Sequence, residues 1–219
     1  MASRTAHGPA HRDGHVIAVI AGHPDGPNWD QVQEEAAERL ETLRKDCSLS
    51  SDQRVHRQGR FAALRYGISY GGGQTHPQNL HQTWANTTVL MTLINCLAFI
   101  RLACFASSVF ATWAPNLFRY YAIHLHDLLI HDATLIMNWT HSIFAAATFN
   151  FGPRTLCFRH TDSGNLPFGW CAITALGRFN YHCGGHLVLW DLKLVIDFPP
   201  GSTILIPLAI LRHSNTNIG

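Results

Sequence analysis

From Thr148 to Ser214 the chain alternates short apolar runs with Gly- and Pro-rich breaks, a pattern that predicts strands joined by turns. Phe149-Asn150-Phe151 leads to Gly152-Pro153, and Thr155-Leu156-Cys157-Phe158 runs on towards His160. Phe168 to Leu176 is a long apolar and β-branched stretch, as a buried strand requires. Gly184-Gly185 breaks the chain before a strand from His186 to Trp190; Leu194 to Phe198 follows, then a Pro199-Pro200-Gly201 turn. Ser202 to Pro207 is a further strand, and Leu211-Arg212-His213 closes the series. Short strands at near-regular spacing with this punctuation predict a sandwich or barrel.

The earlier part is patterned mainly for helices. Val16 to Ala21 predicts a strand that extends the main sheet. Asp30 is then expected to cap a helix, with Gln33 completing a D-x-x-Q capping box and Val32, Ala36, Leu40 and Leu43 forming its apolar stripe. Glu34, Glu35 and Glu38 come early and Arg44-Lys45 late, as the helix dipole favours. Ser48 to Gly59 is polar and reads as a loop. Thr88 to Thr112 is long enough to span a bilayer. Arg101 lies in its middle, where a charge costs about 2.5–3.5 kcal/mol, and Ser107-Ser108 lowers its hydropathy further. The expectation is a buried core helix and a following strand, with no membrane span. Pro115 to Ile130 predicts a second amphipathic helix with Leu117, Tyr121, Leu125, Leu128 and Leu129 turned inward, buttressing the β-core.

Composition narrows the class. The 219 residues suffice for one substantial domain, and 47% hydrophobic content excludes a mainly disordered chain. A formal charge of +2 does not announce a nucleic-acid binder, so any basic patch must be local. Residues 1–15 are small, polar and His-rich, and are expected to be a disordered lead-in to a single domain over 16–219. The apolar run after them is too short for a secretory signal. Cys47, Cys96, Cys104, Cys157, Cys171 and Cys183 form no C-x-x-C pair and read as free thiols.

Chemistry concentrates at His160-Thr161-Asp162 and at His213. On an extended strand residues i and i+2 share a face, so His160 and Asp162 can converge on one cation. A third ligand from a distant strand would complete the two-imidazole, one-carboxylate facial set of a non-haem Fe(II) site, its other face open to co-substrate and dioxygen. Other motifs are weaker. His124-Leu125-His126-Asp127 lies on a predicted helix, where i and i+2 do not face each other. Gly67 to Gln74 is glycine-rich without the Lys-Ser/Thr of a phosphate loop, and by its residues reads as a flexible turn. Cys183-Gly184-Gly185-His186 is better explained as a tight turn than as a zinc half-site. Trp170 and Trp190 are core candidates that could alternatively stack on a base. Asn165 is either a turn residue or a substrate contact.

The order of these elements, with H-x-D early, a Gly-Gly turn before an apolar strand and a Pro-Gly turn before the distal His, is that of a double-stranded β-helix oxygenase. The segments FNFGPRTLCFRHTD, NLPFGWCAITALG and GGHLVLWDLKLVIDFPPGSTILIPLAILRHSN, with GISYGGGQ and FASSVFATWAP upstream, resemble fungal, transposon-associated TET/JBP-like oxygenase domains. The resemblance runs from about Val16 through nearly the whole chain. It implies an α+β fold with a double-stranded β-helix (jelly-roll or cupin-like) core over 148–219 and a mainly helical part with buttressing helices over 16–147. It also implies a dioxygenase using Fe(II), 2-oxoglutarate and dioxygen, with His160, Asp162 and His213 as metal ligands. The implied reaction hydroxylates the methyl group of a modified nucleobase, with DNA as partner and the nucleus as location. Family members hold 2-oxoglutarate with an Arg or Lys about ten residues after the distal His; here the sequence stops at Gly219 without one. The expectation is therefore a core lacking its last strand, and the alternative reading is a non-catalytic remnant that keeps the fold. Arg154, six positions before His160, shares its face on a regular strand and is the secondary co-substrate candidate.

Overall fold

A computed structural model describes residues 16–71 and 73–218, so the expected lead-in over 1–15 lies outside the described residues. In chain order the elements are β1 (Val19–Gly22), α1 (Trp29–Arg44), α2 (Ser51–Arg54), β2 (Ala62–Ser69), β3 (Gln78–Asn79), α3 (Trp84–Ile94), α4 (Leu97–Trp113) and α5 (Pro115–His131). Then follow β4 (Ala146–Phe151), β5 (Cys171–Thr174), β6 (Leu187–Leu189), β7 (Leu194–Ile196), β8 (Thr203–Ile206) and β9 (His213–Asn215). The strands form three small antiparallel sheets, ordered β1-β8-β5, β3-β2-β4 and β7-β6-β9, in a mixed α/β architecture.

The N-terminal strands are woven into the later ones. β1 pairs with β8, with Ile20 opposite Ile204, and β2 pairs with β4 from Ala62↔Phe151 to Gly67↔Ala146. The expected helical-to-strand change at 147/148 thus falls inside β4.

Packing, more than local signals, sets where the helices begin and end. α1 starts at Trp29 after Asn28, whose side chain makes no capping bond, so the capping box expected from Asp30 and Gln33 does not form. Trp29 is buried instead, donates its indole N–H to the Gly201 carbonyl at 3.0 Å, and meets the Phe105 ring edge-on. Gln33 lies in the core beside Gly201. A capping box does form inside the segment read as a loop. Ser50 accepts from the Gln53 N–H at 3.3 Å and donates its own N–H to Gln53 Oε1 at 3.0 Å, starting α2.

The apolar stretch Thr88–Thr112 is two helices, not a helix and a strand. They bend by 68° at Asn95 and Cys96, where Asn95 turns its amide back onto the Met91 carbonyl at 2.8 Å and Cys96 is extended. Among the described residues no single helix is long and apolar enough to cross a membrane. Leu90, Leu93, Ala98, Phe99 and Leu102 from this pair pack with Val32, Ala36, Leu64, Phe149 and Phe151 in one core cluster. Arg101 sets its guanidinium over the Trp29 ring at 5.6 Å, keeping the charge at the edge of that core. α5 presents Leu117, Phe118 and Tyr121 to a second cluster around Phe110, Trp170 and Leu205. The third cluster gathers Leu187 and Leu189 of β6, Ile204 and Ile206 of β8, and Phe198.

Two strand expectations shrink. Phe168–Leu176 is a strand only over Cys171–Thr174. Thr155–Phe158 is irregular apart from a single bridge between Cys157 and Gly59.

Candidate metal centre

β9 is the middle line of the site. On one side Leu189 of β6 pairs with His213, and Trp190 donates its N–H to the Arg212 carbonyl at 2.9 Å. On the other side His213 and His160 exchange both backbone hydrogen bonds, at 3.0 and 2.9 Å. That exchange puts the two side chains on one face, with ring centroids 4.2 Å apart. Asp162 is not on a regular strand. Its N–H donates to the Leu208 carbonyl at 2.8 Å, and its own carbonyl accepts from Asn165 at 2.8 Å. A turn therefore brings the carboxylate round to within 3.6 Å of His160 Nε2. One ligand atom from each of His160, Asp162 and His213 lies within 4.8 Å of the others, the only such cluster of three among the described residues.

The donor set fits a divalent metal. His160 Nδ1 lies 2.6 Å from the Phe158 carbonyl and His213 Nδ1 lies 2.9 Å from that of Leu211. A carbonyl only accepts, so both protons must sit on Nδ1, which leaves both Nε2 lone pairs free for a cation. Burial holds His213 below the usual imidazole range, and the neighbouring His160 adds to this against the pull of the Leu211 carbonyl and Asp162. The neutral form that a metal requires is thus favoured. Asp162 supplies the one negative charge, and His160 and His213 are both buried.

Two residues outside every sequence motif complete the surroundings. Gln58 donates its side-chain N–H to Asp162 Oδ1 at 2.6 Å. Arg57 donates to the Thr161 carbonyl at 2.8 Å and brings its other guanidinium nitrogen to 4.0 Å from Asp162 Oδ1. Both lie in the segment read as a plain loop, and no local pattern could link them to a motif 104 positions away. Asp162 also faces Cys157 and Cys171; burial first, and that carboxylate second, push each thiol up to about 11.

The other candidates separate. Arg154 is exposed in an irregular stretch, so the alternation that would place it on His160's face does not apply. The guanidinium beside the carboxylate is that of Arg57. Arg212 turns away from the site onto Asp191, as alternation from His213 requires. Asn165 is exposed in the turn after Asp162, and its side chain donates to Cys171 Sγ at 3.1 Å. His124 spends its Nδ1 proton on the Tyr120 carbonyl on exposed α5, alongside exposed His126 and Asp127. His186 is engaged with Thr216 and Asp197, not with Cys183. In GISYGGGQ, Gly67 is a strand residue whose φ of +118° and close approach to Ala145 demand glycine. Trp170 is core, stacked on Phe110. Trp190 is 44% exposed, lies under the Arg159 guanidinium at 5.4 Å, and donates to Ser214 Oγ at 3.0 Å.

No family model matches the chain, and no curated protein matches it. Among solved structures it is similar to NgTET1 in complex with 5mC DNA, with a TM-score of 0.69 over 99% of this chain and 72% of that one. The chain shares the fold of that structure. Sequence identity over the match is 17%, so the likeness is one of architecture.

Proposed function

We propose that the chain is an Fe(II)- and 2-oxoglutarate-dependent dioxygenase of TET/JBP type that oxidises the methyl group of a 5-methylcytosine-like base in DNA. The observation that carries this reading is the pair of buried imidazoles, each with its Nδ1 proton committed to a backbone carbonyl and its Nε2 free, grouped with one carboxylate on a TET-like fold. NgTET1 was solved in complex with 5mC DNA, which supports the choice of substrate class.

In this reading the sheets β1-β8-β5 and β7-β6-β9 are walls of a double-stranded β-helix, with α1 and α3–α5 as its buttress. His160, Asp162 and His213 hold the iron, which with 2-oxoglutarate and dioxygen supplies oxidation of an unactivated methyl group. Burial disfavours the charged form of His213, and the Nδ1 hydrogen bonds of both imidazoles fix the tautomer that leaves Nε2 to the metal. Arg57 offers the positive charge at the edge of the site for an anionic co-substrate. Asn165, exposed beside Asp162, is available to a base that has been turned out of the duplex. A DNA substrate implies nuclear residence, and the sequence blocks quoted above are what support the fungal, transposon-associated branch.

Anaerobic Fe(II) titration, with and without 2-oxoglutarate, tests the reading through the weak visible charge-transfer band of the chelate. The expected band needs both additions and disappears in His160→Ala and Asp162→Ala, after which product formation on methylated DNA is followed by mass spectrometry. Iron uptake without the band supports a metal-binding remnant. No iron uptake overturns the proposal.

A further inference from the structure

We propose that Gln58 is a positioning residue of the metal centre, holding the Asp162 carboxylate in place before the cation arrives; this rests on the reading of His160, Asp162 and His213 as metal ligands. Asp162 is the least constrained of the three. The two imidazoles are buried and bonded through Nδ1, whereas the Asp162 side chain is 22% exposed and belongs to a turn. Its Oδ1 receives one short hydrogen bond from an uncharged side chain, that of Gln58 at 2.6 Å. A carboxylate accepts only, so the amide must present its NH2 to it.

The loop that carries Gln58 is built onto the H-x-D segment. His56 and Gly59 exchange backbone hydrogen bonds at 3.0 Å each, closing a tight turn with Arg57 and Gln58 at its tip. The Gln58 carbonyl accepts from the Phe158 N–H at 2.7 Å, and Gly59 bridges Cys157. Arg57 adds its bond to the Thr161 carbonyl. Contacts from the loop thus fall on Cys157, Phe158, Thr161 and Asp162, on both sides of His160. A ligand held in orientation by a neutral donor loses less freedom on coordination, and the donor leaves the site's charge unchanged. Arg57 stands farther off, and its charge opposes a cation, so the fine orientation falls to Gln58.

The test uses the full chain and Co(II) alone as probe, read by its d–d absorption. Gln58→Ala and the similarly long, donor-free Gln58→Met are expected to bind Co(II) 10- to 100-fold more weakly, the usual effect of losing a partner behind a metal ligand. The d–d band should also change shape, while the unfolding temperature in EDTA stays that of the parent. Co(II) affinity and spectrum unchanged in both variants would overturn the assignment while leaving the metal site standing. Loss of cooperative unfolding in both would assign Gln58 to the fold instead and overturn it as well. Failure of the parent itself to bind Co(II) would overturn the reading of the ligands, and this inference with it.

Discussion

His160 and His213 are joined twice through their backbones, at 3.0 and 2.9 Å, and their rings stand 4.2 Å apart on the same face. The spacing of the two imidazoles is therefore a property of the strand pairing. A metal bound across that pairing should therefore stabilise the fold that makes it.

Metal addition is accordingly expected to raise the unfolding temperature. At a free metal concentration of 100 Kd the linkage is about 2.7 kcal/mol. Differential scanning fluorimetry under nitrogen, with Fe(II) or Co(II) and then EDTA, should show a rise that chelation reverses. Asp162→Ala should show none.

Gly59 is where the loop bearing Gln58 crosses its neighbours most closely. A Cβ there would lie 2.5 Å from the Leu156 carbonyl and 2.5 Å from the Phe61 ring. The backbone atom cannot swing aside, so Gly59→Ala must push the loop off the H-x-D segment. Destabilisation of about 1–3 kcal/mol by overpacking and a loss of metal affinity are expected together, checked by urea unfolding and Co(II) titration.

Leu205 is fully buried on β8, between β1 and β5, in the cluster that α5 closes. Leu205→Ala should cost about 2–5 kcal/mol of folding stability through lost transfer energy and the cavity left behind. Chemical denaturation would measure it. The exposed Ile130→Ala on α5 serves as a control expected to stay within about 0.5 kcal/mol.

Burial, with a contribution from Asp162, keeps the thiols of Cys157 and Cys171 protonated up to about 11. The folded chain therefore retains protons that the unfolded chain releases from about 9 upward. The contribution of these two thiols should be level below pH 9 and lower the stability as pH rises from about 9 to 11, because the unfolded state binds fewer protons there. Urea midpoints at pH 8 and pH 10 would show it. Thiol labelling at pH 8 should reach exposed Cys183 first and Cys157 and Cys171 last.

The strand-and-turn pattern after Thr148 was legible because short apolar runs between Gly and Pro breaks are local signals, and β4 to β9 all fall within or beside predicted runs. The helices over Trp29–Arg44 and Pro115–His131 were legible for the same reason. Local rules failed where distant packing decided. The start of α1 is set by an indole hydrogen bond to Gly201, not by Asp30. The apolar stretch Thr88–Thr112 looks alike as helix or strand until the pair is seen packed on β2, β4 and α1.

The sequence by itself determined which residue types were on hand, two imidazoles and a carboxylate amid short apolar strands, because side-chain chemistry and the alternation of neighbours are written residue by residue. Only the tertiary structure decided that these three meet. The backbone pairing of His160 with His213, the turn that carries Asp162 back towards them, and the loop that lays Gln58 on its carboxylate join positions far apart in the chain. Hydrogen bonds between such segments form only once the cores behind them are packed, so no local pattern could record them.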